Sequence, residues 1–220
     1  MAIENKNIRD DFSSKENKVS PLNLSSLPLH NHASTSALSK EFELDELRKH
    51  VEIGFKALKN YSDTHPTNDK VVINDFIDNI ATGTSISSTT PETLQVIEKV
   101  ADECLTNQEW ESAYGVFTLL ILSKPTNANY WFQKSLAMHY KGEFKIALSS
   151  INVALILEPS QPEFHLLKSA ECLIIKDNDQ ALASLQKAKE LITKTGQVLH
   201  PDWIKWQNIL ENQLLTKNKS

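Results

Sequence analysis

Trp110 to Pro159 reads WESAYGVFTLLILSKPTNANYWFQKSLAMHYKGEFKIALSSINVALILEP, and its alanines carry a period. Ala147 lies 34 residues after Ala113, and a further 34 leads to Ala181. The surroundings move with them. Four positions on stand Phe117, Ile151 and Leu185; seven on, Leu120, Ala154 and Ala188; three back, Trp110, Phe144 and Asn178. Pro125 and Pro159 follow the first two alanines by twelve residues, where a helix must end because proline lacks an amide hydrogen and its ring clashes with the preceding turn. Thr193 stands at the third such place. Spacings of three, four and seven put these residues on one helical face. A small residue on that face lets an antiparallel helix approach closely, and the larger apolar residue a turn later fills the space beside it.

A 34-residue period made of two antiparallel helices is the tetratricopeptide pattern. It predicts repeats at 92–125, 128–159 and 162–193, the middle one most complete, with Trp131, Gly142, Phe144, Ala147, Ile151, Ala154 and Pro159 in register. The expected fold is all-α: a superhelix of three 34-residue helix pairs, with N-terminal helices before it and a C-terminal capping helix after it. The cap is placed from Pro201, with Asp202 in its first turn and Trp203, Trp206, Ile209, Leu210 and Leu214 toward the stack.

Upstream, Leu44, Leu47, Val51, Phe55 and Leu58 share one face of a helix between Glu41 and Tyr61. Ile73, Phe76, Ile77 and Ile80 mark a shorter helix with a stop at Gly83, and Thr90-Pro91 reads as the cap and first turn of the next. Residues 1–40 hold 8 Ser and 5 Asn with no sustained apolar period, which reads as a disordered arm. Its Leu22, Leu24, Leu27 and Leu29 are either scattered leucines or a docking segment. The chain thus divides into 1–40 (arm), 41–90 (N-terminal helices, a candidate dimerisation region), 91–196 (repeats) and 197–220 (cap and tail).

Composition narrows the function. With 23 Lys+Arg against 28 Asp+Glu the net charge is −5, which argues against nucleic acid or anionic membrane held by bulk charge. Only 5 Gly in 220 residues weighs against a barrel, a sandwich or a glycine-looped nucleotide fold. The longest apolar run, Val116 to Leu122, falls far short of the roughly 18–20 residues of a membrane span, and Met1 to Ser14 has no apolar core of a secretory signal. The expected location is the cytoplasm.

No residue set suggests catalysis, and no cofactor is expected. His139, His165, Cys104 and Cys172 lack metal-ligand spacing, and the two cysteines stand two repeats apart, beyond the roughly 7 Å between Cα atoms that a disulfide allows. They read as core thiols. What a helical-repeat stack offers instead is a concave wall built from the first helix of each pair, at its second, fifth, ninth and twelfth positions. These are Gln95, Glu98, Asp102 and Leu105, then Asn129, Phe132, Leu136 and His139, then Glu163, Leu166, Ala170 and Leu173. The wall is acidic in the first repeat and largely apolar in the others, and an apolar groove usually binds something. Any single member, Leu136 and Leu166 above all, is equally readable as helix packing. Glu98 and Asp102 would repel a carboxylate, which excludes a clamp for peptide C-termini.

Beyond the repeat itself, the segment FIDNIATGTSISSTTPETL (Phe76 to Leu94) and the third repeat EFHLLKSAECLIIKDNDQALASLQKAKELI (Glu163 to Ile192) resemble the class II chaperones of bacterial type III secretion, over about residues 76 to 193. The resemblance implies a bacterial cytoplasmic chaperone that binds an extended segment of hydrophobic translocator proteins in its groove, and a homodimer formed through the N-terminal helices. It implies peptide contacts at Leu105, Phe132, Leu136, His139, Leu166, Ala170 and Leu173. The chain departs from the family in its long arm and in Glu98 and Asp102. A generic tetratricopeptide scaffold, binding folded partners, is the alternative.

Overall fold

In a computed structural model, residues 37–65, 68–82 and 89–217 are described, and they form nine α-helices with no strand among them. The repeats are α3 (Pro91–Thr106) with α4 (Trp110–Ser123), α5 (Ala128–Lys141) with α6 (Phe144–Leu157), and α7 (Pro162–Ile174) with α8 (Asn178–Thr195). The second helix of each pair begins at Trp110, Phe144 or Asn178, the residues that the period places three before its alanines. Ala113, Ala147 and Ala181 are each wholly buried, as close helix approach requires.

The repeat extends to single atoms. Each pair turns through a left-handed residue at Gln108 (φ 61°), Gly142 (φ 86°) or Lys176 (φ 70°), spaced by 34 although only the middle one is glycine. One residue later an amide reaches back to close the helix: Glu109 N to Cys104 O (2.8 Å), Glu143 N to Met138 O (2.9 Å) and Asp177 N to Cys172 O (2.8 Å). Ser135 and Ser169 each donate from Oγ to the carbonyl of the paired alanine, Ala147 or Ala181, at 2.7 Å. Trp131 Nε1 and His165 Nε2 both donate across the inter-repeat loop, to Pro125 O and Pro159 O, at 2.9 Å. His165 therefore holds a loop.

Before the repeats come α1 (Ala37–Thr64) and α2 (Asp69–Ala81). Helix α1 begins four residues upstream of the boundary expected at 41, because Ala37, Leu38, Lys40 and Glu41 are good helix formers with no breaker among them. The arm 1–36, the stop at Gly83 and the connector 84–88 lie outside the described residues. Thr90 caps α3 as expected, its side chain accepting from Thr93 N with Pro91 in the first turn. Helix α8 passes Thr193, where no proline stops it, and ends at Gly196 in the left-handed conformation.

Helix α4 is buried from Ala113 to Ile121 on every face. Repeat neighbours cover one side; Val51, Phe55, Leu58 and Tyr61 of α1 cover the other. The apolar face of α1 is therefore packed within the chain. Cys104 and Cys172 are buried too, and burial, with Glu109 and Glu103 nearby, pushes the Cys104 thiol up to about 12, which makes it an inert packing group.

The last helix, α9 (Pro201–Lys217), buries Leu210 and Leu214 and half-buries Trp203 and Trp206. Ile209, expected on the same face, is 41% exposed: it stands one residue, about 100°, around the helix from Leu210.

Candidate functional site: the concave face

Helices α3, α5 and α7 present the inward positions. In α3 two of the four are acidic: Tyr130 of α5 donates its hydroxyl to Glu98, and partial burial together with the Glu98 carboxylate raises the Asp102 carboxyl from its ordinary value. Leu105 is half-buried against the N-terminal core and does not join the other predicted contacts.

The other six come together. Phe132 stacks on Phe164 with ring centroids 4.6 Å apart, and Leu136 lies half-buried in the same cluster. Leu166, Ala170 and Leu173 form the neighbouring cluster along α7. His139 closes the far end of α5, where its Nδ1 and Glu171 Oε1 share a hydrogen bond of 2.7 Å. Glu171 is wholly buried and its Oε2 has no hydrogen-bond partner. Burial pushes the Glu171 carboxyl up, against the opposing pull of His139.

Apart from half-buried Leu136, these residues are closed to solvent. Phe132 is 7% exposed, Leu166 0% and Leu173 7%. The cover is α9: Trp203 sits 5.8 Å from the Phe132 ring, Trp206 sits 4.8 Å from the His139 ring, and Leu210 and Leu214 join Leu166, Ala170 and Leu173 in one cluster. Gln197, in the linker to α9, donates to Glu163 Oε1 at 3.1 Å, so a second inward position is also engaged by the C-terminal segment. The sequence places the apolar stripe of α9 as a cap, and the helix does pack on α7 and α8; the reach of Trp203 and Trp206 to α5 is what the spacing did not show. Nothing in that spacing distinguishes the end of a superhelix from its groove. The His139–Glu171 pair was missed, since the two stand 32 residues apart at non-equivalent repeat positions.

Among the described residues no group of His, Cys, Asp and Glu is placed to hold a metal ion, and no helix is long and apolar enough to cross a membrane.

No protein-family model matches this chain, and no curated protein matches it in sequence. Solved structures do. PcrH, in complex with the chaperone binding region of PopD, is similar at 17% identity and a TM-score of 0.53, over 62% of this chain and 100% of that one. A type III secretion complex from Aeromonas hydrophila is similar at 15% identity and a TM-score of 0.53, over 67% and 95%. The TPR2B domain of yeast Sti1, in its pHsp70 complex, is similar at 17% identity and a TM-score of 0.50, over 55% and 97%. At such identities the likeness establishes architecture: the chain has the tetratricopeptide fold.

Proposed function

We propose that this chain is a translocator chaperone of a type III secretion system, which holds an apolar segment of a hydrophobic client against the wall of α5 and α7 and acts by binding, without catalysis. The observation that carries this reading is the wall itself: Phe132, Leu136, Leu166 and Leu173 run across two repeats at inward positions, and an apolar helix already lies on them. The likeness to PcrH in complex with a region of PopD supports it, because it spans the whole of that chain. So does the resemblance carried by Phe76 to Leu94 and Glu163 to Ile192.

Two or three client side chains, each contributing about 1.5–3 kcal/mol when buried, offset the ordering of the segment and give an affinity in the micromolar range or below. The site of action is the bacterial cytoplasm, before export. The homodimer that the resemblance implies would form through the N-terminal helices, by surfaces other than the packed face of α1. A scaffold that binds folded partners is the second reading, favoured by the likeness to the Sti1 domain; Glu98 and Asp102 still argue against a carboxylate clamp of any kind.

Co-expression with translocators encoded beside this chain, followed by size exclusion with light scattering, tests the proposal and gives the stoichiometry. The expected result is a soluble complex of a client that precipitates when made alone, lost on Leu136→Glu. A chain that stays alone while every translocator precipitates overturns the reading in favour of the scaffold.

A further inference from the structure

A capping helix that merely continued the stack would pack beyond α7 and α8 and be screened from α5 by α7. Helix α9 packs on both, with Leu210 and Leu214 among Leu166, Ala170 and Leu173 of α7 and Ala181, Leu185 and Ala188 of α8, and it also reaches α5. Its two tryptophans reach past α7 to rings on α5, Trp203 to Phe132 at 5.8 Å and Trp206 to His139 at 4.8 Å. That geometry brings the first turns of α9 onto the concave face, over inward residues of α5. It anchors there as a groove-bound helix does, through large residues at i, i+3, i+7 and i+11. Lys189 of α8 pairs with Glu211 at 3.0 Å, the lysine half exposed, a link worth little beside the buried apolar stripe.

We infer that α9 is an occupant of the groove in cis: a segment of the chain itself that fills the wall when no client is present and must leave before a client can bind. This rests on the function proposed above for the wall, and adds that client binding is an exchange between two segments for one surface. The exchange has a thermodynamic consequence. Client affinity is reduced by the fraction of molecules in which α9 is docked, so weakening α9 raises affinity without touching the wall. The structure also describes what the wall accepts: a helix with aromatic anchors one turn apart followed by leucines.

The test uses a fluorescein-labelled peptide of residues 201–217, titrated by fluorescence polarisation against the full wild-type chain and the full chain carrying Trp203→Ala and Trp206→Ala. The variant is expected to bind the peptide at least tenfold more tightly than wild type, and a peptide with both tryptophans replaced is expected not to bind. Equal binding by the two chains overturns the proposal. A second measurement needs no variant: in hydrogen exchange of the wild-type chain, amides of α9 are expected to exchange at least tenfold faster than those of α7 and α8. Protection of α9 equal to theirs makes it an integral part of the stack and overturns the proposal. Translocator binding separates the two readings. If the peptide exchanges but no translocator binds, α9 stands as the cis occupant and the chaperone reading falls. A translocator bound equally by wild type and variant sinks the exchange and leaves the chaperone reading in place.

Discussion

Gly54 of α1 and Gly115 of α4 meet backbone against backbone: a Cβ on Gly54 would lie 2.6 Å from the Gly115 carbonyl oxygen, and one on Gly115 would lie 2.5 Å from Gly54 N. Neither glycine is needed for a turn. Both sit within helices, where glycine costs roughly 1 kcal/mol relative to alanine, and the close crossing is what that cost secures. Alanine at either place must push the helices apart. Gly115→Ala is expected to lower stability by about 1–3 kcal/mol despite its better helix propensity, read as a lower urea midpoint. An unchanged or raised midpoint would show that α1 is not seated on α4 as described.

The left-handed turns make a prediction of the opposite sign. Gln108 and Lys176 are exposed residues held at positive φ, where a Cβ is strained by roughly 1 kcal/mol and glycine is not. Gln108→Gly and Lys176→Gly are each expected to stabilise the fold by up to about 1 kcal/mol, and Gly142→Ala to destabilise it by a similar amount. Thermal melts of the three variants decide the matter, and the effects should add because the turns are far apart.

His50 of α1 supplies a pH dependence. Burial lowers its pKa from 6.5 to about 4, with Lys134 and Lys49 adding to the effect and Glu46 opposing it. The unfolded chain therefore binds a proton that the folded chain refuses between pH 6.5 and 4, so stability is lost as pH falls through that window. Comparing urea midpoints of wild type and His50→Asn from pH 7 to 4 should show the wild type losing more. Lys134 is itself buried over the Tyr114 ring at 4.5 Å, and burial lowers its pKa to about 8. Replacing it by Met removes a charge facing His50, and an NMR titration should find the His50 pKa moved upward.

Glu171 has the opposite sign. Burial raises its carboxyl above the ordinary value of 4.5, so the folded chain keeps a proton that the unfolded chain has released, and stability falls as pH rises above 4.5. Glu171→Gln is expected to flatten that slope while keeping an acceptor for His139. His139→Ala leaves both oxygens of a buried carboxyl without a partner and should cost about 1–3 kcal/mol. A His139→Ala chain as stable as wild type would show that the pair is not buried in solution.

Leu136→Glu serves the function directly. Leu136 is half-buried, so a charge there is expected to abolish client binding with little loss of helix content by circular dichroism. Leu173 cannot serve the same purpose: at 7% exposure, a carboxylate there disrupts packing before it tests binding.

Much of this architecture was legible because tetratricopeptide packing is local. Each helix pair must put a small residue where its helices cross and an apolar one a turn later, so the period of Ala113, Ala147 and Ala181 is a physical requirement written at fixed spacing. Helix starts at Trp110, Phe144 and Asn178, the Thr90 cap and the burial of both cysteines follow from that register. Three features did not show. A left-handed turn at Gln108 and Lys176 is imposed by the pairs on either side, and neither side chain announces it. The contact of Gly54 with Gly115 joins segments 61 residues apart, and no local pattern sets which face of α1 meets which helix. The destination of α9 was the most consequential. Its stripe of Trp203, Trp206, Leu210 and Leu214 is equally satisfied by the end of the stack or by the groove, because burial of apolar area is non-directional. Only the tertiary structure shows that the helix does both, capping α7 and α8 while setting its tryptophans within ring contact of Phe132 and His139.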